Sequence, residues 1–297
     1  MDQDSLDSAS IMLRALIAGT ICEHIASNHG LTKSAVSQRI RRLAGELQRI
    51  VGVVGVEEEE SPTASLIRQN GDAYIEALEH FVPDAALALD LRKARVESED
   101  IDLCVLKIAR HSRCVRRDTA LLLTLFSTAA KPLELSQLEV RDYLEESGCI
   151  RTHSTLRAEI AMNRTSRDLF FQDQATNTAI DGYLSERIAH GIGTHTGSSY
   201  RGLQPDSRLF LSRSGRAMQL RMNGAVGQHL VCKEIHEIYR RIFAYSGLTG
   251  INTALARRTA AQTLLENGAN SEEIGRTLGL RRLAVQKLLR HGAGVAP

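Results

Sequence analysis

Tryptophan is absent from this 297-residue chain, and the aromatic residues together reach only 4%. Its cores must therefore be built from Leu, Ile, Val and Ala, a palette that suits packed helices. Long apolar runs are also missing. The longest, such as Thr119–Leu125, fall far short of the ~20 residues that cross a bilayer, so no membrane partner is expected. The first residues carry Asp2, Asp4 and Asp7, the opposite of a signal peptide's basic start, which points to the cytoplasm. Closely spaced cysteines are lacking. Cys22, Cys104, Cys114, Cys149 and Cys232 are scattered singly, which argues against a zinc site or a secreted disulfide framework, and no cofactor is indicated. A strong net charge is missing too: 37 basic against 35 acidic residues give a formal +2. If the partner is nucleic acid, the positive charge has to be clustered rather than general.

What is present is ordinary for a folded protein: 43% hydrophobic and 24% charged residues. The length allows two domains. Residues from Ser5 to about Ile50 read as helices broken at Asn28-His29-Gly30. A Gly/Val stretch, the acidic run Glu57–Glu60 and Ser61-Pro62 follow, a natural linker and helix start. This divides the chain into 1–56, a helical connecting segment 62–96 with Pro83 opening a second short helix, and 97–297. Beyond Glu97, helical spacing covers Ile101–Ala109 and Arg117–Ser127 and stops at Lys131-Pro132, after which Leu133–Leu138 suggests a further short helix. The β-prone runs Glu159–Met162 and Asp168–Phe171 flank a turn at Asn163–Arg167. Thr176–Ala189 reads as a helix before a Gly-rich loop, and Ser212–Arg216 as a basic turn. Helices are expected from about Val226 to Ser246, Ala254 to Asn267, Ser271 to Leu278 and Leu283 to Arg290. The expected class is mainly α with a small antiparallel sheet.

Within Cys22–Ile40 the spacing fits a helix-turn-helix. Ala26 is small where helices must cross, Gly30 allows positive φ at the turn, and Leu31 packs beneath it. Thr32 can cap the second helix. With Val36, Ile40 and Leu43 inward, Ser34, Gln38 and Arg41 face outward with Arg42 beside them. Arg suits guanine and Gln adenine in the major groove. Thr32, Lys33, Ser34, Ser37, Gln38, Arg41 and Arg42 form the first candidate DNA-binding set; an ordinary helical hairpin with a basic exterior is the alternative. The string Gly30–Leu43, Gly-Leu-Thr-Lys-Ser-Ala-Val-Ser-Gln-Arg-Ile-Arg-Arg-Leu, resembles the recognition region of KorA/TrfB-type plasmid repressors. Two positions depart from that pattern: His29 replaces an apolar residue, and Arg39 is expected toward the core side.

From about Glu97 to His291, ordered segments resemble the tyrosine recombinase (phage integrase) family. They are Arg117–Leu138 with Lys131 and Glu134-Leu135, Leu209–Ser212, Arg257–Ala269, and Leu278-Gly279-Leu280. The resemblance implies that family's catalytic-domain fold, and in that family a tyrosine attacks the phosphodiester while arginines brace its oxygens. Carried over by position, the set is broken. Lys131 replaces the first Arg and loses its planar fork; Arg164 is the nearest basic residue for the hairpin Lys; Ala254 and Leu280 replace histidines; and the nucleophile's place falls on Leu289. Only Arg257 is retained. No Tyr, Ser, Thr or Cys follows Thr277. The resemblance makes Lys131, Arg164, Arg257, Arg258, Arg281 and Arg282 the second candidate DNA-binding set, with no catalytic residue. Arg276, Lys287 and Arg290 add charge nearby. The apolar face of Leu283–Leu289 fits either a neighbouring protomer or the protein's own core.

The expectation is a sequence-specific, nucleoid-associated binder of double-stranded DNA, a regulator of repressor type from a bacterial mobile element or plasmid, able to oligomerise on DNA. Two rivals stand beside it: a divergent recombinase using Tyr239 or Tyr245, and an accessory subunit of a recombination or segregation complex.

Overall fold

The computed structural model describes residues 3–51, 53–56, 60–79, 81, 95–223, 229–246, 252–280 and 282–290. In chain order its elements are α1 (Gln3–Ile17), α2 (Cys22–His29), α3 (Lys33–Ile50), α4 (Ala64–Gln69), α5 (Gly71–Glu79), α6 (Ser98–His111), α7 (Val115–Thr128), α8 (Pro132–Leu135), α9 (Val140–Tyr143), β1 (His153–Leu156), β2 (Arg167–Phe170), α10 (Gln174–Ala189), β3 (Arg221–Asn223), β4 (His229–Val231), α11 (Lys233–Ser246), α12 (Thr253–Glu266), α13 (Ser271–Leu278) and α14 (Arg282–Arg290). The protein is mainly α, with β1–β2 and β3–β4 as two short antiparallel pairs. The chain divides into two compact units: Met1–Arg92 with Leu220–Val231, and Lys93–Gln219 with Cys232–Pro297.

The first unit has the aliphatic core its composition requires. Met12, Leu13 and Leu16 of α1 meet Ile25 and Ala26 of α2 and Val36, Ile40, Leu43 and Leu47 of α3. The segment set apart in sequence at 62–96 joins this same core through Ile67, Ala73, Tyr74 and Ala77, and β4 adds Val231. Gly30 ends α2 in the left-handed conformation at φ 62, its N–H bonding back to Ala26 and Ser27 carbonyls. The Thr32 hydroxyl accepts from the Ala35 N–H at 3.2 Å and so caps α3. One break was not anticipated, at residues 18–21 between α1 and α2. Arg68 reaches it from α4, donating to the Leu16 and Thr20 carbonyls at 3.1 and 3.0 Å. The helix end thus gains partners from a residue far along the chain.

In the second unit α7 is central, packing on α6, α8, α10, α11 and α12. Ala120, Leu121, Leu122 and Leu125 are all fully buried, as a helix covered on several sides requires. Two expected boundaries move. Glu159–Met162 is not a strand: the N–H groups of Ile160 and Ala161 both bond to the Arg157 carbonyl, so this run coils into a turn. The strand facing β2 is β1, with His153 opposite Phe170. The helix expected from Val226 begins only at Lys233, because His229–Val231 pairs with Arg221–Asn223. Val226 and Pro83 lie outside the described residues. The face of α14 is turned inward, with Val285 and Leu288 buried against Ala261, Ile274 and Leu278. Leu283 at the start of this helix stays 80% exposed, so only part of the face meets the protein's own core.

Ile40→Ala should lower stability by about 2–5 kcal/mol through cavity formation, and Thr32→Ala by about 1 kcal/mol through loss of the cap. Gln38→Ala on the outer face should leave the urea midpoint followed by circular dichroism nearly unchanged.

Candidate nucleic-acid interface

On α3, Lys33, Ser34, Gln38, Arg41 and Arg42 are exposed and Ser37 is half-buried. At 3.6 residues per turn, Ser34, Gln38 and Arg41 fall within about 60° of one another, opposite the buried Val36, Ile40 and Leu43. Not every candidate is uncommitted. Thr32 spends its hydroxyl on the cap. Lys33 pairs with Glu23 of α2, the contact that raises the lysine's pKa and lowers the glutamate's. Arg42 pairs with Glu46 at 3.2 Å, one turn on. The expectation that Arg39 lies toward the core is corrected: it is exposed. It sits about 80° from the middle of the buried stripe, and at that border a long cationic side chain turns to water.

Two members of the second candidate set, Lys131 and Arg257, lie close to one buried ion pair that the sequence did not reveal. α7 ends at Ala129, left-handed at φ 51, and Lys131 leads into α8 half-buried. Three residues on, Glu134 is 1% exposed. Its carboxylate accepts from both terminal nitrogens of Arg167 at 2.9 and 2.5 Å, from the Lys131 N–H at 2.9 Å and from the Met162 N–H at 3.1 Å. Burial pushes its pKa up, but the hydrogen bonds and charge of Arg167, aided by Lys131, outweigh that and hold it below the ordinary value. Arg167 starts β2 on the same inward face as Leu169. A carboxylate inside Pro-Leu-Glu-Leu, and a charged residue in step with Leu169, were the available signals.

This pair also meets the end of α13. Gly279 closes that helix at φ 67, and a Cβ there would sit 3.3 Å from Arg167 Nη1. Asn163 donates to the Gly279 carbonyl at 3.2 Å, and Arg257 donates to the neighbouring Leu278 carbonyl at 3.2 Å. Lys131, Glu134, Arg167 and Arg257 are therefore linked through short contacts across three regions of sequence. Arg257 and Arg258 are themselves buried, at 6% and 5% exposure, and so stand apart from the surface cations. Arg164 is exposed, left-handed at φ 57, within the connection between β1 and β2. Arg282 is exposed on α14. Arg281 lies outside the described residues.

Neither tyrosine considered as a substitute nucleophile is well presented. The Tyr239 hydroxyl is buried and donates to the Leu121 carbonyl at 3.0 Å; burial, then the charge of Asp118, raises its pKa well above the usual phenol range. Tyr245 is half-buried, its ring centroid 5.8 Å from that of His111. Among the described residues, no helix is long and apolar enough to cross a membrane, and no three His, Cys, Asp or Glu side chains cluster to hold a metal ion.

The solved structure of XerA recombinase is similar to this chain with a TM-score of 0.47 and 14% identity, covering 97% of this chain and 87% of that one. At that identity no residue's role follows from the likeness. No family model matches the chain, and no curated protein matches it.

Glu134→Gln should cost about 3–5 kcal/mol, since it leaves Arg167 buried without its counter-charge. In the native protein the folded carboxyl titrates below the ordinary 4.5. Its contribution is therefore present above that pH and lost as pH falls through the folded value. Thermal midpoints measured from neutral pH down to about pH 3 should fall more steeply for the native protein than for the Gln variant.

Proposed function

We propose that this protein binds duplex DNA sequence-specifically and without cutting it, as a transcriptional regulator of repressor type carried by a bacterial mobile element or plasmid. The observation that carries this reading is the Ser34–Gln38–Arg41 stripe. It combines hydrogen-bonding side chains of the kind that read base edges, exposed on one face of a capped helix whose opposite face is locked into a dry core. Arg42 and Lys33 flank it, and exchanging their surface carboxylate partners for phosphates is electrostatically inexpensive in water.

The recombinase resemblance supplies the second element, a DNA-embracing domain without its nucleophile. Lys131, Arg164 and Arg282 are its phosphate candidates at or near the surface, while the buried Arg257 acts from beneath by holding the Leu278 carbonyl. The missing chemistry rests on residue identities: Leu289 at the nucleophile's place, Ala254 and Leu280 for the histidines. A buried, hydrogen-bonded Tyr239 does not replace them. Oligomerisation on DNA and a nucleoid location belong to this proposal.

Gln38→Ala combined with Arg41→Ala should abolish sequence preference in a protection footprint while leaving helicity intact. An unchanged footprint would remove α3 from the reading role. Incubated with a nicked suicide duplex, the native protein should form no covalent adduct on a denaturing gel; an adduct would establish the recombinase alternative, with Tyr245 the first residue to replace.

A further inference from the structure

A second basic surface lies at the far end of α7 from Lys131, roughly 20 Å away for a helix of 14 residues. The segment Lys107–Arg117 holds Lys107, Arg110, Arg113, Arg116 and Arg117 and no acidic residue. Arg113 and Arg116 are exposed. The carboxylate next in the chain is already used: Asp118 accepts from Arg117 at 2.9 and 2.7 Å and from Ser112 at 2.5 Å, all within the protein. Arg117, buried beneath, donates to the Leu211 carbonyl at 3.3 Å, and the Leu211 N–H donates to Tyr183 at 3.1 Å. Arg116 donates to the adjacent Gly182 carbonyl at 2.9 Å. These bonds bring the Ser212–Arg216 turn up to the start of α7, adding exposed Arg213 and Arg216. The turn is pinned by the Ser212 N–H on the Arg216 carbonyl at 2.8 Å, and the Ser212 and Ser214 hydroxyls lie 2.9 Å apart.

None of Arg113, Arg116, Arg213 and Arg216 pairs with a carboxylate among the described residues. Their placement also works against the fold. Arg116 and Arg117 occupy the first turn of α7, where the helix dipole disfavours cations, and Arg113 lies just before it. Arg113 and Arg116 thus hold exposed charge without a carboxylate partner at an unfavourable helix end, which points to an external anion.

We propose that Arg113, Arg116, Arg213 and Arg216, with the Ser212 and Ser214 hydroxyls, grip the phosphate backbone of duplex DNA, as a contact surface additional to α3. Exposed guanidinium groups and serine hydroxyls are the side chains that bond phosphodiester oxygens. An acidic protein partner is the alternative that the test distinguishes, because Val115, between Arg113 and Arg116, is 36% exposed and arginine also anchors protein interfaces. This inference rests on the DNA-binding reading above, and the experiment separates the two.

The full-length protein is compared with a variant carrying Arg→Gln at all four positions, and with the pairs Arg113/Arg116 and Arg213/Arg216 replaced separately in case the quadruple variant does not fold. Fluorescence anisotropy on a random 25-base-pair duplex is followed over a salt series. At about 0.9 per phosphate contact, the log–log salt slope should fall by roughly 3–4 in the quadruple variant and about half that in each pair. Affinity at low salt should drop at least tenfold, while a footprint at a specific site stays in place. An unchanged slope with intact footprinting would overturn this surface and leave the regulator reading standing. Failure of the native protein to bind any duplex would remove both. Capture of polyglutamate by the native protein, lost in the variants, would reassign the surface to an acidic protein.

Discussion

The Glu134–Arg167 pair is the constraint around which the second unit's cationic region is organised. A carboxylate withdrawn from water costs several kcal/mol unless its lone pairs are filled. Here four donors fill them, and each comes from a place the fold must fix: the entry to α8, the connection after β1, and the start of β2. Gly279 then closes over the guanidinium, and Asn163 and Arg257 secure the carbonyls on either side of that turn. One desolvated charge pair thereby sets the positions of Lys131, the turn containing Arg164, and the end of α13.

The near-neutral total charge conceals how the charges are distributed. Asp118, Glu134, Glu139 and Asp142 are all buried and committed to arginines of the same unit. Arg113, Arg116, Arg213 and Arg216 of the same unit are exposed. In a chain of almost balanced composition, the total charge therefore says little about how charge is arranged locally.

What could be read from sequence was local. The inward stripe of α3, the Gly30 turn and the Thr32 cap depend on residues within a few positions of one another, and all appear where the spacing put them. α13 runs over the anticipated Ser271–Leu278, with Asn270 and Glu273 capping it reciprocally. What could not be read was long-range. The break at residues 18–21 depends on Arg68, and β3 becomes a strand only because β4 lies beside it. The burial of Arg257 escaped notice because α12 carries small residues, Ala256, Ala260 and Ala261, where a helix usually shows its buried side through Leu or Ile.

The β3–β4 ribbon gives the first unit a discontinuous chain, and that bears on biosynthesis. Helices α1–α5 leave the ribosome early, yet Val231, which completes their apolar cluster, follows only after most of the second unit. At translation rates of about 5–20 residues per second, the interval between Glu79 and Val231 lasts roughly 8–30 s. During that time the nascent helices must hold together with one face unfinished. The last residue of that apolar cluster to be synthesised is thus separated from the other members by the greater part of the second unit.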